Sequence, residues 1–211
     1  MSIKNRTTLS RLLSIALPMV VSQASDTIMM FVDRIFLSRI GELHLAASMA
    51  GGLTMFMLSS FFVGTVGYVT AIVAQYYGAK RYRQCGESTF QAILVSLACY
   101  PLLLGLSPLV RYFFHLAGHQ PRQIELGYIY FQTLVFGSVF LILRYALAGF
   151  FLGIGRTTVV MLANLAGMII NIPANYVLIF GRFGFPELGM RGAAIGTIAS
   201  RTSRLSACQT A

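Results

Sequence analysis

Charge is what this 211-residue sequence has least of: 16 Lys and Arg, 6 Asp and Glu, 10% charged in all, against about 25% in an average soluble domain. A soluble fold with so few charges could not keep its surface wet. At 56% hydrophobic residues the chain also holds too much apolar surface to stay disordered. What remains is an all-α integral membrane protein, and at about 20 residues per span plus a short loop the length allows roughly six helices. Cysteine is scarce and scattered (Cys85, Cys99, Cys208), which argues against a metal knuckle or a disulfide framework. His44, His115 and His119 form no HExxH pair, and the two lysines, Lys4 and Lys80, follow no phosphate-loop glycine spacing. No nucleophile–base or metal-ligand pair stands out at helical spacing, so neither an enzyme nor a bound cofactor is expected. Nor is a cleavable signal peptide, because the first apolar run outlasts an h-region and lacks a small-residue cleavage site.

Five apolar runs are long enough to cross a bilayer of about 30 Å: residues 12–37, 45–77, 92–114, 124–152 and 158–180. The first contains Pro18, where a helix can bend. The second is rich in glycine (Gly51, Gly52, Gly64, Gly67), which in membranes points to close helix packing more often than to a break. The sixth run, 192–200, is too short, reaching only about 13.5 Å as a helix. It leads into a polar tail, 201–211. The expectation is a bundle over residues 1–200 whose sixth helix is an unfinished stub, with the tail foreign to it. Lys4, Arg6, Arg11, Lys80, Arg81, Arg83 and Arg156 would share one side of the membrane and Arg39, Arg111, Arg122, Arg182 and Arg191 the other. That bias places the N-terminus in the cytoplasm. The net charge of +10 then reads as orientation and contact with anionic lipid, since no soluble basic module is present to bind nucleic acid.

An acid at the centre of a span costs about 2.5–3.5 kcal/mol, so each polar residue there needs a reason. Asp26 and Asp33 are seven residues apart, about 700° of helical turn, and so share one face, with Gln23 in the same sector. Asn164, Asn171 and Asn175 fall within about 40° of one another in the fifth run. Intramembrane acids by default mark ion or proton paths, and Asp33 is read that way, with a structural pair to Arg34 as the alternative. Asp26 is balanced between a polar contact inside the bundle and a coupling role. Asn164 is read as interhelical glue, and Arg144 as a side chain snorkelling to the cytoplasmic face rather than meeting substrate.

Several strings resemble one family. LSIALPMVVSQ, then MFVDRIFLSRIG leading into LAA, resembles the first helix and following loop of multidrug and toxic compound extrusion (MATE) transporters. AQYYGAKR is similar to the motif closing their second helix, and GIGRTT with NIPANYVLIFGRFGFPELGMRGAAIGT to their fourth-to-sixth-helix region. The resemblance runs to about Ser200. It implies a twelve-helix antiporter of two six-helix bundles, of which this chain would be a truncated N-terminal half. Such a protein, in the bacterial inner membrane, would expel drugs and organic cations in exchange for Na⁺ or H⁺. The resemblance places a cation or proton site at Asp33, with Asn171, Asn175 and Thr197 alongside, and Na⁺ at Asp33, Asn171 and Asn175 where that is the coupling ion. Gln23, Asp26, Asn164 and Arg144 are accessory polar candidates. Ion binding would bias a helix that bends at Pro18. A lipid-linked flippase of related fold and an inactive bundle are the alternatives, and the oligomeric state stays open.

Overall fold

The structure, a computed structural model, describes residues 3–118, 120–184 and 186–209, and the side chains of these except residues 3–8, 11 and 209. His119, residues 210–211 of the tail and the side chains of Lys4, Arg6 and Arg11 lie outside the described residues. The described chain is helical with no strand: α1 Ile3–Ile40, α2 Glu42–Gly67, α3 Val69–Gly78, α4 Tyr82–Leu116, α5 Pro121–Phe136, α6 Ser138–Gly153, α7 Thr157–Phe180 and α8 Gly189–Gln209. Four stretches are long and apolar enough to cross a membrane, Leu12–Ile40, Glu42–Gly78, Tyr82–Leu116 and Thr157–Phe180, and a fifth forms if α5 and α6 count as one span. Large apolar side chains such as Phe31, Phe56, Met57 and Phe61 stand exposed on the outer faces, as they do where lipid rather than water is the solvent.

The apolar runs are not all single rods. The run 124–152 is bent by 47° between α5 and α6, with no proline at the break. Gly137 sits there, and the Ile198 side chain of α8 fills the place a Cβ would take. The run 45–77 is interrupted at Tyr68 between α2 and α3. Its glycines divide by role. Gly51 faces the backbone of Gly127 on α5, where an added Cβ would lie 2.6 Å from the carbonyl oxygen, whereas Gly64 and Gly67 have nothing within 4 Å. The close-packing expectation therefore holds for Gly51, while Gly67 ends α2.

The sixth element differs most from expectation. The apolar count ends near residue 200, yet α8 continues to Gln209. The reason is a face rather than a run: Ala193, Ala194, Thr197, Ser200, Arg204 and Cys208 are all buried and recur at helical spacing, so polarity on that face goes inward. α8 is set by the preceding turn. Gly181 takes a left-handed φ of 63° to close α7, a conformation glycine adopts without steric cost. Leu188 N–H then donates to the Leu178 carbonyl at 3.1 Å, and α8 returns antiparallel along α7.

Gly51→Val should push α2 off α5, because the obstacle is backbone and cannot rotate away. Overpacking of this kind costs about 1–3 kcal/mol, or roughly 2–10 °C in the unfolding midpoint for a chain of this size. Gly64→Ala, facing open space, should leave the midpoint unchanged or raise it through helix propensity. Thermal unfolding of the two variants in one detergent checks the contrast.

Candidate functional site

α1 and α7 run parallel and are joined by two polar rungs. Asn164 Nδ2 donates to Ser22 Oγ, and Asn175 Nδ2 donates to Asp33 Oδ1 at 2.5 Å. Both pairs are separated by 142 positions, so the register is constant. The rungs lie 11 residues apart on each helix (33 − 22 and 175 − 164), about 16 Å or three turns. α8 lies antiparallel across both. An added Cβ would meet the Leu178 backbone at Gly192, the Asn175 side-chain oxygen at Gly196, and, from the α7 side, Arg204 at Gly167. Small residues let these backbones approach closely, as in membrane helix packing generally.

The Asp33 rung is buried. Asp33 is 9% exposed and Asn171 and Asn175 are fully buried. Asn175 Nδ2 also donates to Asn171 Oδ1 at 3.2 Å, while Asn175 Oδ1 and Asn171 Nδ2 have no partner. One turn further along, Leu37, Ile179, Met190 and Ala193 form an apolar layer. Three of the four residues expected at the ion site therefore come together. The fourth, Thr197, is buried on α8 next to Gly196, but its hydroxyl donates to the Ala193 carbonyl of its own helix at 2.9 Å. Arg34 is exposed and takes part in neither of the two ion pairs found among the described residues, so it is not the partner of Asp33. No cluster of three His, Cys, Asp or Glu side chains occurs among the described residues. A cation at Asp33 would thus be held by one carboxylate with amide oxygens.

Between the rungs lies an ion pair. Arg204 Nη1 donates to Asp26 Oδ1, its Nη2 lies 3.0 Å from Met29 Sδ, and its Nε is buried without a partner. Asp26 thus makes a contact inside the bundle. The Ser22 rung opens onto a cavity of about 290 Å³. Arg144 from α6 lines it, donating from Nη1 to Asn164 Oδ1 at 2.9 Å and placing its guanidinium 4.8 Å from the Tyr145 ring centre. Arg144 is 8% exposed, so the snorkelling expectation is corrected: an amide acceptor and an aromatic face draw it inward. Gln23 lines the same cavity and is otherwise exposed. Arg204 was missed at the sequence level because it sits in a polar tail. Its signal was its position, four residues after Ser200 and seven after Thr197 on one face.

The MatE family model matches residues 18–177. The chain is 31% identical over 203 residues to the multidrug resistance protein PmpM of Pseudomonas aeruginosa, covering 91% of this chain and 40% of that one. It is 30% identical over 191 residues to the probable multidrug resistance protein NorM of Shewanella oneidensis, covering 89% and 41%. Among solved structures, the outward-facing conformation of a multidrug resistance MATE family transporter of the MOP superfamily superposes with a TM-score of 0.85 at 20% identity, over 93% of this chain and 43% of that one. The chain thus spans about two-fifths of the length of the curated relatives it matches.

Removing the carboxylate from the ion pair should be costly. Asp26→Asn leaves Arg204, whose side chain is 3% exposed, charged and unpaired. Breaking a buried pair costs about 3–5 kcal/mol, and water reaching the 30% exposed Asp26 side should lower that to about 2 kcal/mol. Adding Arg204→Met should recover most of the loss, a non-additivity that a double-mutant cycle on thermal or denaturant unfolding measures.

Proposed function

Because this chain belongs to the MatE family, whose model covers most of it, we propose that it carries the ion-coupling bundle of an antiporter exporting drugs and organic cations, with Asp33 as the coupling residue. The observation that carries this reading is the buried Asp33–Asn175–Asn171 chain with two amide atoms left unpartnered. A buried polar group without a partner is costly, and a fully satisfied structural contact would not leave two.

The geometry supports a simple exchange. With Asp33 ionised, Asn175 turns its NH₂ toward the carboxylate and leaves its own oxygen unpartnered. A cation at Asp33 reverses the requirement, because hard cations take oxygen ligands. Rotation of the Asn175 amide then supplies Oδ1 beside the Asp33 carboxylate and the Asn171 Oδ1. A proton on Asp33 makes the same demand, since a carboxylic acid donates where a carboxylate accepts. The absence of a Cβ at Gly196 leaves the amide the room to rotate. Either ion changes the α1–α7 contact at one rung, giving a two-state element that ion binding biases.

Na⁺ or H⁺ serves as the coupling ion, organic cations as substrate class, and the N-terminus faces the cytoplasm of a bacterial inner membrane. These assignments rest on the family, the charge distribution and the donor set. A lipid-linked flippase ranks below this reading, which the names of the relatives favour.

Purified chain should unfold at a higher temperature in NaCl than in choline chloride if Na⁺ binds at Asp33, and Asp33→Asn should remove the difference. In vesicles, uptake of a fluorescent organic cation under an imposed Na⁺ or proton gradient should fall to the protein-free level in Asp33→Asn and in Asn175→Leu. Undiminished gradient-driven uptake in Asp33→Asn would sink the assignment.

A further inference from the structure

The ion-coupling reading uses the Asp33 rung and leaves the other rung unexplained. There, Arg144 is more than nine-tenths buried and has no carboxylate: the two ion pairs among the described residues are Arg83–Glu87 and Arg204–Asp26. Its only hydrogen-bond partner there is a neutral amide oxygen, Asn164 Oδ1 at 2.9 Å, and its Nε is buried without any. Asn164 offers it no charge: its oxygen is a neutral acceptor, and its nitrogen, a donor, points to Ser22. A buried guanidinium in that position lacks a countercharge, and buried charges are ordinarily paired.

The cavity beside it has the composition of a ligand site: an apolar wall of Met19, Leu152 and Val160, the Tyr145 ring, and a few polar groups, Thr157 and Gln23 among them, within about 290 Å³. Small-molecule sites are built this way, mostly apolar with a few placed polar groups. Asp26 also lines the cavity, but its Oδ1 is held by Arg204, so its negative charge is already matched by that guanidinium and the Arg144 charge stays unbalanced. Guanidinium forks match oxyanions bidentately, and of its three nitrogens Arg144 spends Nη1 on Asn164 and leaves Nε without a partner.

We propose that this cavity binds an organic oxyanion, a carboxylate or phosphate ester carried on an apolar body, with Arg144 as its anchor and the Tyr145 side of the cavity receiving the chain. The site is separate from Asp33, so it stands or falls independently of ion coupling. The same chemistry is available from a free amphiphile or from the headgroup of an anionic lipid.

The test is thermal unfolding of the purified chain in phosphatidylcholine nanodiscs, titrated with four probes of equal chain length: octanoate, octyl phosphate, octylammonium and octanol. Octanoate and octyl phosphate should raise the midpoint in a saturable way, and octylammonium and octanol should not. Arg144→Gln should weaken the octanoate effect at least tenfold. Asn164→Asp provides the second, independent variant: it places a carboxylate where Nη1 now meets an amide, so it should raise the midpoint without any probe and abolish the response to octanoate. In phosphatidylglycerol nanodiscs, a midpoint already raised and no longer responsive to octanoate identifies the lipid headgroup as the source, and an unchanged titration identifies a free amphiphile. Equal stabilisation by octylammonium, or a full octanoate response in either variant, would overturn the proposal.

Discussion

Two hydrogen-bonded rungs, three turns apart, hold α1 and α7 parallel at a constant offset of 142 positions, and the remaining polar interior is arranged around that register. Slipping either helix by one residue would carry its side chains about 100° around the axis and break both rungs together, stranding Asp33 and Asn164 in an apolar interior. Longitudinal sliding is therefore the motion the bundle resists most. Rotation of an amide at one rung, or bending of α1 at Pro18, which lies N-terminal to both rungs, leaves the offset intact. A coupling step confined to the Asp33 rung is compatible with such a frame because it changes one contact without moving the other.

α8 makes the frame possible. Without glycine at 192 and 196 its backbone could not come close enough to α7 to seal the Asp33 rung from lipid, and without glycine at 167 the Arg204 side chain could not pass α7 to reach Asp26. The result is a layered interior: an apolar floor of Leu37, Ile179, Met190 and Ala193, the carboxylate–amide rung, the Arg204–Asp26 pair, and the Arg144 cavity. Each layer separates unlike chemistry by about a turn or two of helix, so a cation at Asp33 and an oxyanion at Arg144 would be held apart by an ion pair of the protein's own.

Much of this was legible in the sequence, and the reasons for success and failure are physical. Helical arithmetic put Asp26 and Asp33 on one face and Asn164, Asn171 and Asn175 on another, and those faces do meet. What arithmetic on single helices could not supply was which residue meets which. Asp26 and Asp33 look equivalent at seven residues' spacing, yet one meets a guanidinium from α8 and the other an amide from α7. Arg204 was hidden because hydropathy averages over a window, and the small and polar residues that bury one side of α8 pull that average down. Arg144 was misjudged because the snorkelling argument considers distance to the membrane surface and not an acceptor on a neighbouring helix. The bend at Gly137 carried no proline to announce it; the side chain packed against that glycine is Ile198 on α8, some 60 positions away in the chain.

The Arg204–Asp26 pair also bears on how such a chain is made. The two residues are 178 positions apart, and at synthesis rates of about 5–20 residues per second roughly 10–35 s separate their emergence from the ribosome. Through that interval α1 carries Asp26 without its guanidinium, an acid that opposes insertion by about 2.5–3.5 kcal/mol at mid-membrane depth, and Asp33 waits 142 positions for its α7 amide. α1, translated first, thus carries an acid whose countercharge lies on α8. The charges of the bundle are thereby fully matched only once α8 has been made.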